Sequence, residues 1–112
     1  SGATKDMKVA REETFAPLAP VFKFESVDEV IDLANDTAFG LAAYFYGNDL
    51  RNVWKVTEAL ECGMIGVNTG LISTEVAPFG GVKQSGFGRE GSKYGMDDFL
   101  SMKYVCLGGI PA

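Results

Sequence analysis

Apolar and polar positions alternate along this chain in short blocks, and the period of alternation changes from block to block. Val21-Phe22-Lys23-Phe24 reads as a short strand. Ser26 and Glu29 follow in S-x-x-E spacing, which lets a serine oxygen and a glutamate satisfy the free amides of a first helical turn. The spacing predicts a helix through Val30, Ile31, Leu33 and Ala34, with Gly40 ending that region. Leu41 to Tyr46, LAAYFY, is a continuous apolar run of strand length, the pattern of a strand covered on both faces. Asn48 or Asp49 caps a second helix whose Leu50, Val53, Trp54 and Leu60 share one stripe, and Gly63 stops it. Met64 to Val67 is the third strand. The order strand, helix, strand, helix, strand predicts an α/β fold with a parallel sheet and right-handed crossovers.

The pattern then breaks. From Val67 to Gly91 the chain carries six glycines and one proline, so neither helix nor strand should persist there. A loop of that length is usually functional or disordered. Leu71, Ile72, Val76, Phe79, Val82 and Phe87 are too apolar for a solvated tail, which predicts an ordered loop lining a site. Ser92 to Met102 regains helical character, Lys103 to Leu107 reads as a last strand, and Gly108-Gly109-Ile110-Pro111 follows.

Composition narrows the function classes. At 112 residues the chain is one domain or a piece of one, and 46% hydrophobic residues allow a substantial core. A net charge of −5, with basic residues scattered, argues against nucleic acid or an anionic membrane surface as partner. No apolar run approaches the roughly 20 residues that cross a bilayer. There is no histidine, and Cys62 and Cys106 lack C-x-x-C spacing, so this chain alone assembles neither a zinc site nor a Cys–His pair. Two buried structural thiols in a reducing compartment, cytoplasm or mitochondrial matrix, are the expectation.

Gly86-Phe87-Gly88-Arg89-Glu90-Gly91 matches G-x-G-x-x-G, but it neither follows a strand directly nor precedes an acidic residue at the required distance, so it reads as loop glycines. The loop after Val67 leaves a strand's carboxyl end, where parallel sheets bind ligands, so Asn68, Ser73 and Phe79 are placed to face a pocket. Taken singly, each has a structural alternative: a turn former, a solvated hydroxyl and a core ring. Glu12 and Glu13 read equally as a charged surface turn, and Glu90 as a partner for Arg89.

The combination weighs differently. Glu13-Thr14-Phe15-Ala16-Pro17, Val67-Asn68, Pro78 to Gly86 (PFGGVKQSG) and Gly88-Arg89-Glu90, in that order and spacing, resemble the C-terminal part of the aldehyde dehydrogenase superfamily. The runs GLIS, GREGSKYG and KYVCLGG are similar to its succinate-semialdehyde dehydrogenase branch. One departure is Ala16, where the family commonly has glycine.

The resemblance implies roles residue by residue. Glu13 would accept from the ribose of a nicotinamide cofactor, NAD or NADP, and Phe15 would hold the nicotinamide ring. Phe79 would form an aromatic wall of the aldehyde tunnel, Ser73 would help bind the distal carboxylate of the substrate, and Glu90 would act in a proton relay. It also implies a three-layer parallel-sheet catalytic domain over residues 1–101, and an arm strand over 102–112 that builds a homo-oligomer. The nucleophilic cysteine, the general base and the Rossmann half of the family have no counterpart here, so the isolated chain is expected to be inactive. The competing readings are an aldehyde dehydrogenase of another substrate class and a separately encoded, non-catalytic α/β interaction module.

Overall fold

A computed structural model describes residues 2–109. A 3₁₀ turn at Lys8–Ala10 precedes helix α1 (Val27–Asn35), strands β1 (Phe39–Gly40) and β2 (Ala42–Phe45), helix α2 (Leu50–Ala59), strands β3 (Met64–Val67) and β4 (Val82–Lys83), and a 3₁₀ helix at Tyr94–Phe99. The parallel pair is β2 with β3, in register Ala42 to Met64 through Phe45 to Val67, and α2 forms its crossover. A second, antiparallel pair joins β1 to β4, Phe39 opposite Lys83 and Gly40 opposite Val82. The α/β character and the parallel pairing are therefore as the pattern predicts.

The helix caps follow from side-chain chemistry. Ser26 Oγ accepts from the Glu29 N–H at 3.1 Å, while the Glu29 carboxylate accepts from the N–H of Glu25 at 2.6 Å, one residue before the cap. Asp49, rather than Asn48, caps α2, its Oδ1 accepting from the Arg51 N–H at 2.8 Å. On α2, Val56 is buried and Val53 and Leu60 half-buried, whereas Leu50 and Trp54 are 68% and 61% exposed. The covered face of α2 is thus the 53–56–60 line, and Leu50 and Trp54 lie to its side rather than within one shared stripe.

Four expectations are corrected. Val21 to Phe24 is not a strand: it is exposed and has no ladder partner among the described residues, and a strand exists only by pairing. Lys103 to Leu107 is likewise unpaired and exposed. The helix expected over Ser92–Met102 contracts to a 3₁₀ turn, because Gly91 and Ser92 stand at φ 67° and 50°, outside helical space. The LAAYFY strand is covered on one face only, with Tyr44 51% exposed. The long loop also carries more regular structure than its glycines suggest, since β4 and a Phe79–Glu90 bridge lie within it.

A substantial core does not form. Among the described residues only Ile31 and Val56 are buried hydrophobics. The radius of gyration is 20.1 Å, against about 13 Å for a compact domain of this length. The body extends over 79 × 31 × 23 Å, and its two small sheets and two helices leave most apolar side chains without a facing layer. Cys62 is half-buried and Cys106 exposed, so only the former approaches the packing role expected of both.

Candidate functional site

The carboxyl end of β3 is fixed before the loop begins. Asn68 donates its N–H to the Phe45 carbonyl at 2.8 Å, and its side chain grips Gly47 from both sides, Oδ1 accepting from the N–H at 2.9 Å and Nδ2 donating to the carbonyl at 2.8 Å. Its φ of 54° redirects the chain off the sheet. Thr69 Oγ1 then accepts from the Leu71 N–H at 3.3 Å, a local turn that brings Ile72 back over Gly66. Ser73 follows, exposed and with its hydroxyl unpaired among the described residues. Its neighbours Ile72 and Thr74 line a recess of about 200 Å³ with Met64, Ile65, Pro78 and Phe79.

The glycine-rich part of the loop encloses a second recess, of about 520 Å³, bordered by Phe79, Phe87, Arg89, Glu90, Met96 and Asp98. Phe79 and Glu90 face each other as an antiparallel bridge. One guanidinium nitrogen of Arg89 donates to the carbonyls of Gly81 and Gly88, each at 2.7 Å, and the Asp98 carboxylate accepts the Arg89 N–H at 3.3 Å. Ser85 Oγ accepts from the Gly40 N–H at 2.9 Å, tying the loop to β1. Arg89 is thus engaged with bare glycine carbonyls rather than with Glu90, which is exposed and borders the recess. The glycines of the G-x-G-x-x-G run form turns, with Gly86, Gly88 and Gly91 at φ 116°, 73° and 67°, and no α-helix opens from them.

Of the residues singled out in the sequence, Phe79 and Glu90 come together, and Ser73 lies beside the smaller recess without lining it. Glu13 and Phe15 sit on the exposed stretch from Arg11 to Pro20 and border none of these recesses. Phe15 is 96% exposed, and Glu13 has no internal hydrogen bond among the described residues. Glu13 and Phe15 thus present a carboxylate and a ring to solvent, two residues apart in the chain. A third recess, of about 320 Å³, lies between Phe22, Phe24, Val30 and Leu33, where Arg11 pairs with Asp36 at 3.5 Å.

The sequence reading passed over Arg89 and Asp98 as organisers of the loop. The signal was the setting of Arg89, a cation next to Gly88 and close to Gly81, where backbone carbonyls stand uncovered by side chains. Among the described residues no group of His, Cys, Asp and Glu is arranged to hold a metal ion, and no helix is long and apolar enough to cross a membrane.

Comparison with known proteins decides the family, because the profile of the aldehyde dehydrogenase family matches residues 1–105. The chain belongs to the aldehyde dehydrogenase family. It is 65% identical over 107 residues to a 3-sulfolactaldehyde dehydrogenase of Pseudomonas putida and 61% identical over 107 residues to a probable NADP(+) succinate-semialdehyde dehydrogenase of Sinorhizobium fredii. Each match covers 96% of this chain and 22% of the relative, so the chain spans about a fifth of these dehydrogenases' length. The crystal structure of succinate-semialdehyde dehydrogenase from Burkholderia pseudomallei superposes with a TM-score of 0.93 at 65% identity, over 96% of this chain and 22% of that one.

Proposed function

We infer that this chain is the C-terminal segment of an NAD(P)-dependent aldehyde dehydrogenase whose substrate is succinic semialdehyde, oxidised to succinate. The observation that carries the reading is the loop leaving β3, which presents Ser73 with a free hydroxyl beside the recess that Phe79 lines. The names of similar enzymes agree in kind: sulfolactaldehyde and succinic semialdehyde both carry an anion away from the aldehyde. Such an anion loses water on binding and needs donors in return.

In this reading Ser73 donates to the substrate carboxylate, Phe79 walls the aldehyde channel, and Glu90 takes part in a proton relay at the edge of the glycine-rich recess. Glu13 accepts from the ribose, and Phe15 holds the nicotinamide face. The cofactor, when bound, supplies the hydride acceptor. Arg89 and Asp98 keep the loop in shape through the bonds described above. Residues 1–101 belong to a three-layer catalytic domain, and 102–112 form an arm that pairs with another subunit of a homo-oligomer. The compartment is the cytoplasm or the mitochondrial matrix, where the free thiols of Cys62 and Cys106 stay reduced. Alone, these residues do not oxidise aldehydes.

The test is Ser73→Ala in a full-length enzyme carrying these residues. A charge-assisted hydrogen bond is worth about 1.5–3 kcal/mol, so KM for succinic semialdehyde rises roughly 10- to 100-fold. An uncharged aldehyde of similar length is unaffected. Equal losses for both substrates would sink the assignment.

A further inference from the structure

Ser73 is exposed and its side chain is unpaired among the described residues, so none of their side-chain hydrogen bonds holds it in place. Its position is set by the chain on either side: after it the Glu75 carbonyl accepts from the Ser92 N–H at 2.8 Å, and before it the chain is held at Asn68. Asn68 stands at φ 54°, a left-handed conformation that a residue with a side chain adopts only at a cost, and asparagine more readily than most. Strain of this kind persists where surrounding bonds over-determine it. Three do so here: the Asn68 N–H to the Phe45 carbonyl at 2.8 Å, and the two side-chain bonds to Gly47 at 2.9 and 2.8 Å. They bind the exit of β3 to the exit of β2, so the loop leaves the sheet in one direction.

Two residues earlier, Gly66 is buried and supplies the seat for the returning loop. A Cβ there would stand 2.8 Å from both the Thr69 carbonyl oxygen and Ile72 Cγ2, so the loop closes onto β3 only because that atom is missing. Only Val67 separates the seat from the clamp; the Thr69 turn follows the clamp, and Ser73 is the next residue after Ile72.

We propose that Asn68, acting with the bare Gly66, is a positioning residue for substrate specificity: it sets where Ser73 meets the acidic end of the aldehyde. This rests on the reading of Ser73 as the carboxylate donor. Asn68 itself does not touch the substrate. It sets the geometry of a group that does, so its loss weakens recognition of the carboxylate rather than the chemistry at the aldehyde.

The experiment uses a full-length enzyme carrying these residues, with succinic semialdehyde and butanal as paired substrates. Asn68→Gly keeps the left-handed backbone accessible and deletes both bonds to Gly47. KM for succinic semialdehyde is expected to rise about tenfold with kcat held within about twofold, and KM for butanal to stay unchanged. Asn68→Asp retains the acceptor for the Gly47 N–H and restores part of the selectivity; it supplies the same comparison if Asn68→Gly does not fold. A shared rise in KM for both aldehydes, a shared fall in kcat, or no change at all overturns the proposal. Ser73→Ala, measured alongside, separates the two levels. If it is selective and Asn68→Gly is not, the carboxylate reading stands and the positioning role falls. If Asn68→Gly is selective and Ser73→Ala is silent, Asn68 is holding something other than Ser73, and the proposal fails as stated.

Discussion

Phe79 and Glu90 exchange two main-chain hydrogen bonds, 2.8 Å from the Phe79 N–H to the Glu90 carbonyl and 2.7 Å in return. Ten residues of glycine-rich loop are closed by that single bridge, so Phe79 and Glu90, both bordering the recess, are held in register without using either side chain.

That separation makes Glu90 a clean position for substitution. Glu90→Gln leaves the bridge intact because the bridge is backbone, and the side chain keeps its shape while losing the ability to take up a proton. In a full-length enzyme the variant should retain its melting temperature and lose roughly tenfold or more in turnover. Loss of thermal stability together with activity would instead make Glu90 a structural residue.

Gly63 reads in the sequence as a helix stop, but α2 ends earlier, at a Leu60 cap. The structure gives Gly63 another task. A Cβ on it would run into the Gly80 carbonyl oxygen and come within 2.8 Å of the Gly81 Cα, so the loop packs on β3 through backbone alone. Overpacking typically costs about 1–3 kcal/mol, and obstacles made of backbone put Gly63→Ala at the upper end. Thermal melting should fall by ten degrees or more, at about 4–8 °C per kcal/mol. Gly108→Ala, with open space around it, should leave melting unchanged. Similar melting curves for both variants would refute the packing role.

The same comparison shows what was legible in the sequence. Both α-helices, the cap at Ser26 and the β2 and β3 strands follow from periodicity and capping chemistry, which act over a few residues. The unpaired segments at Val21–Phe24 and Lys103–Leu107 misled for the opposite reason: strand character in a sequence says what a segment can pair with, not whether a partner is present. Phe79 follows from its place on the loop that leaves β3 and Glu90 from family resemblance, but their bridge depends on turns at Gly86 and Gly88 that no local pattern registers. The clamp of Asn68 on Gly47 spans 21 positions and had no signal beyond a turn-forming residue at a strand end.

The two thiols should react in a fixed order. Burial pushes the Cys62 thiol up, with backbone hydrogen bonds at Met64 and Ala43 offsetting part of the effect, while Cys106 is exposed. The thiolate is the reacting species, and a raised pKa lowers its fraction at neutral pH. Iodoacetamide near neutral pH should therefore modify Cys106 well before Cys62. The Cys62 rate should go on rising above the pH where an ordinary thiol is half ionised. Mass spectrometry of peptides from a labelling time course gives both rates, and faster labelling of Cys62 at neutral pH would contradict its half-buried position.

The last prediction concerns Lys83, where three elements meet. Its Nζ donates to the carbonyls of Asn35 at 2.9 Å and Thr37 at 3.2 Å and pairs with the Glu61 carboxylate. Asn35 in turn donates to the Ala59 carbonyl at 2.8 Å and accepts from the Glu61 N–H at 2.9 Å. The carboxyl ends of α1 and α2, where carbonyls lack helical partners, are therefore tied to each other and to β4. A cation is favoured there by the helix dipole as well. The question is whether the carbonyls or the ion pair hold the junction. Glu61 is 57% exposed on its side chain and Lys83 25%, and an exposed pair contributes only about 0–1 kcal/mol, whereas hydrogen bonds from a charged donor contribute about 1.5–3 kcal/mol. Lys83→Met should then destabilise by about 2 kcal/mol, and Glu61→Gln by about 0.5 kcal/mol or less. Raising salt should change the wild-type melting temperature little, since screening acts on the exposed pair and spares the carbonyl bonds. If Glu61→Gln cost as much as Lys83→Met, the ion pair would be the fastening and the capping of α1 incidental.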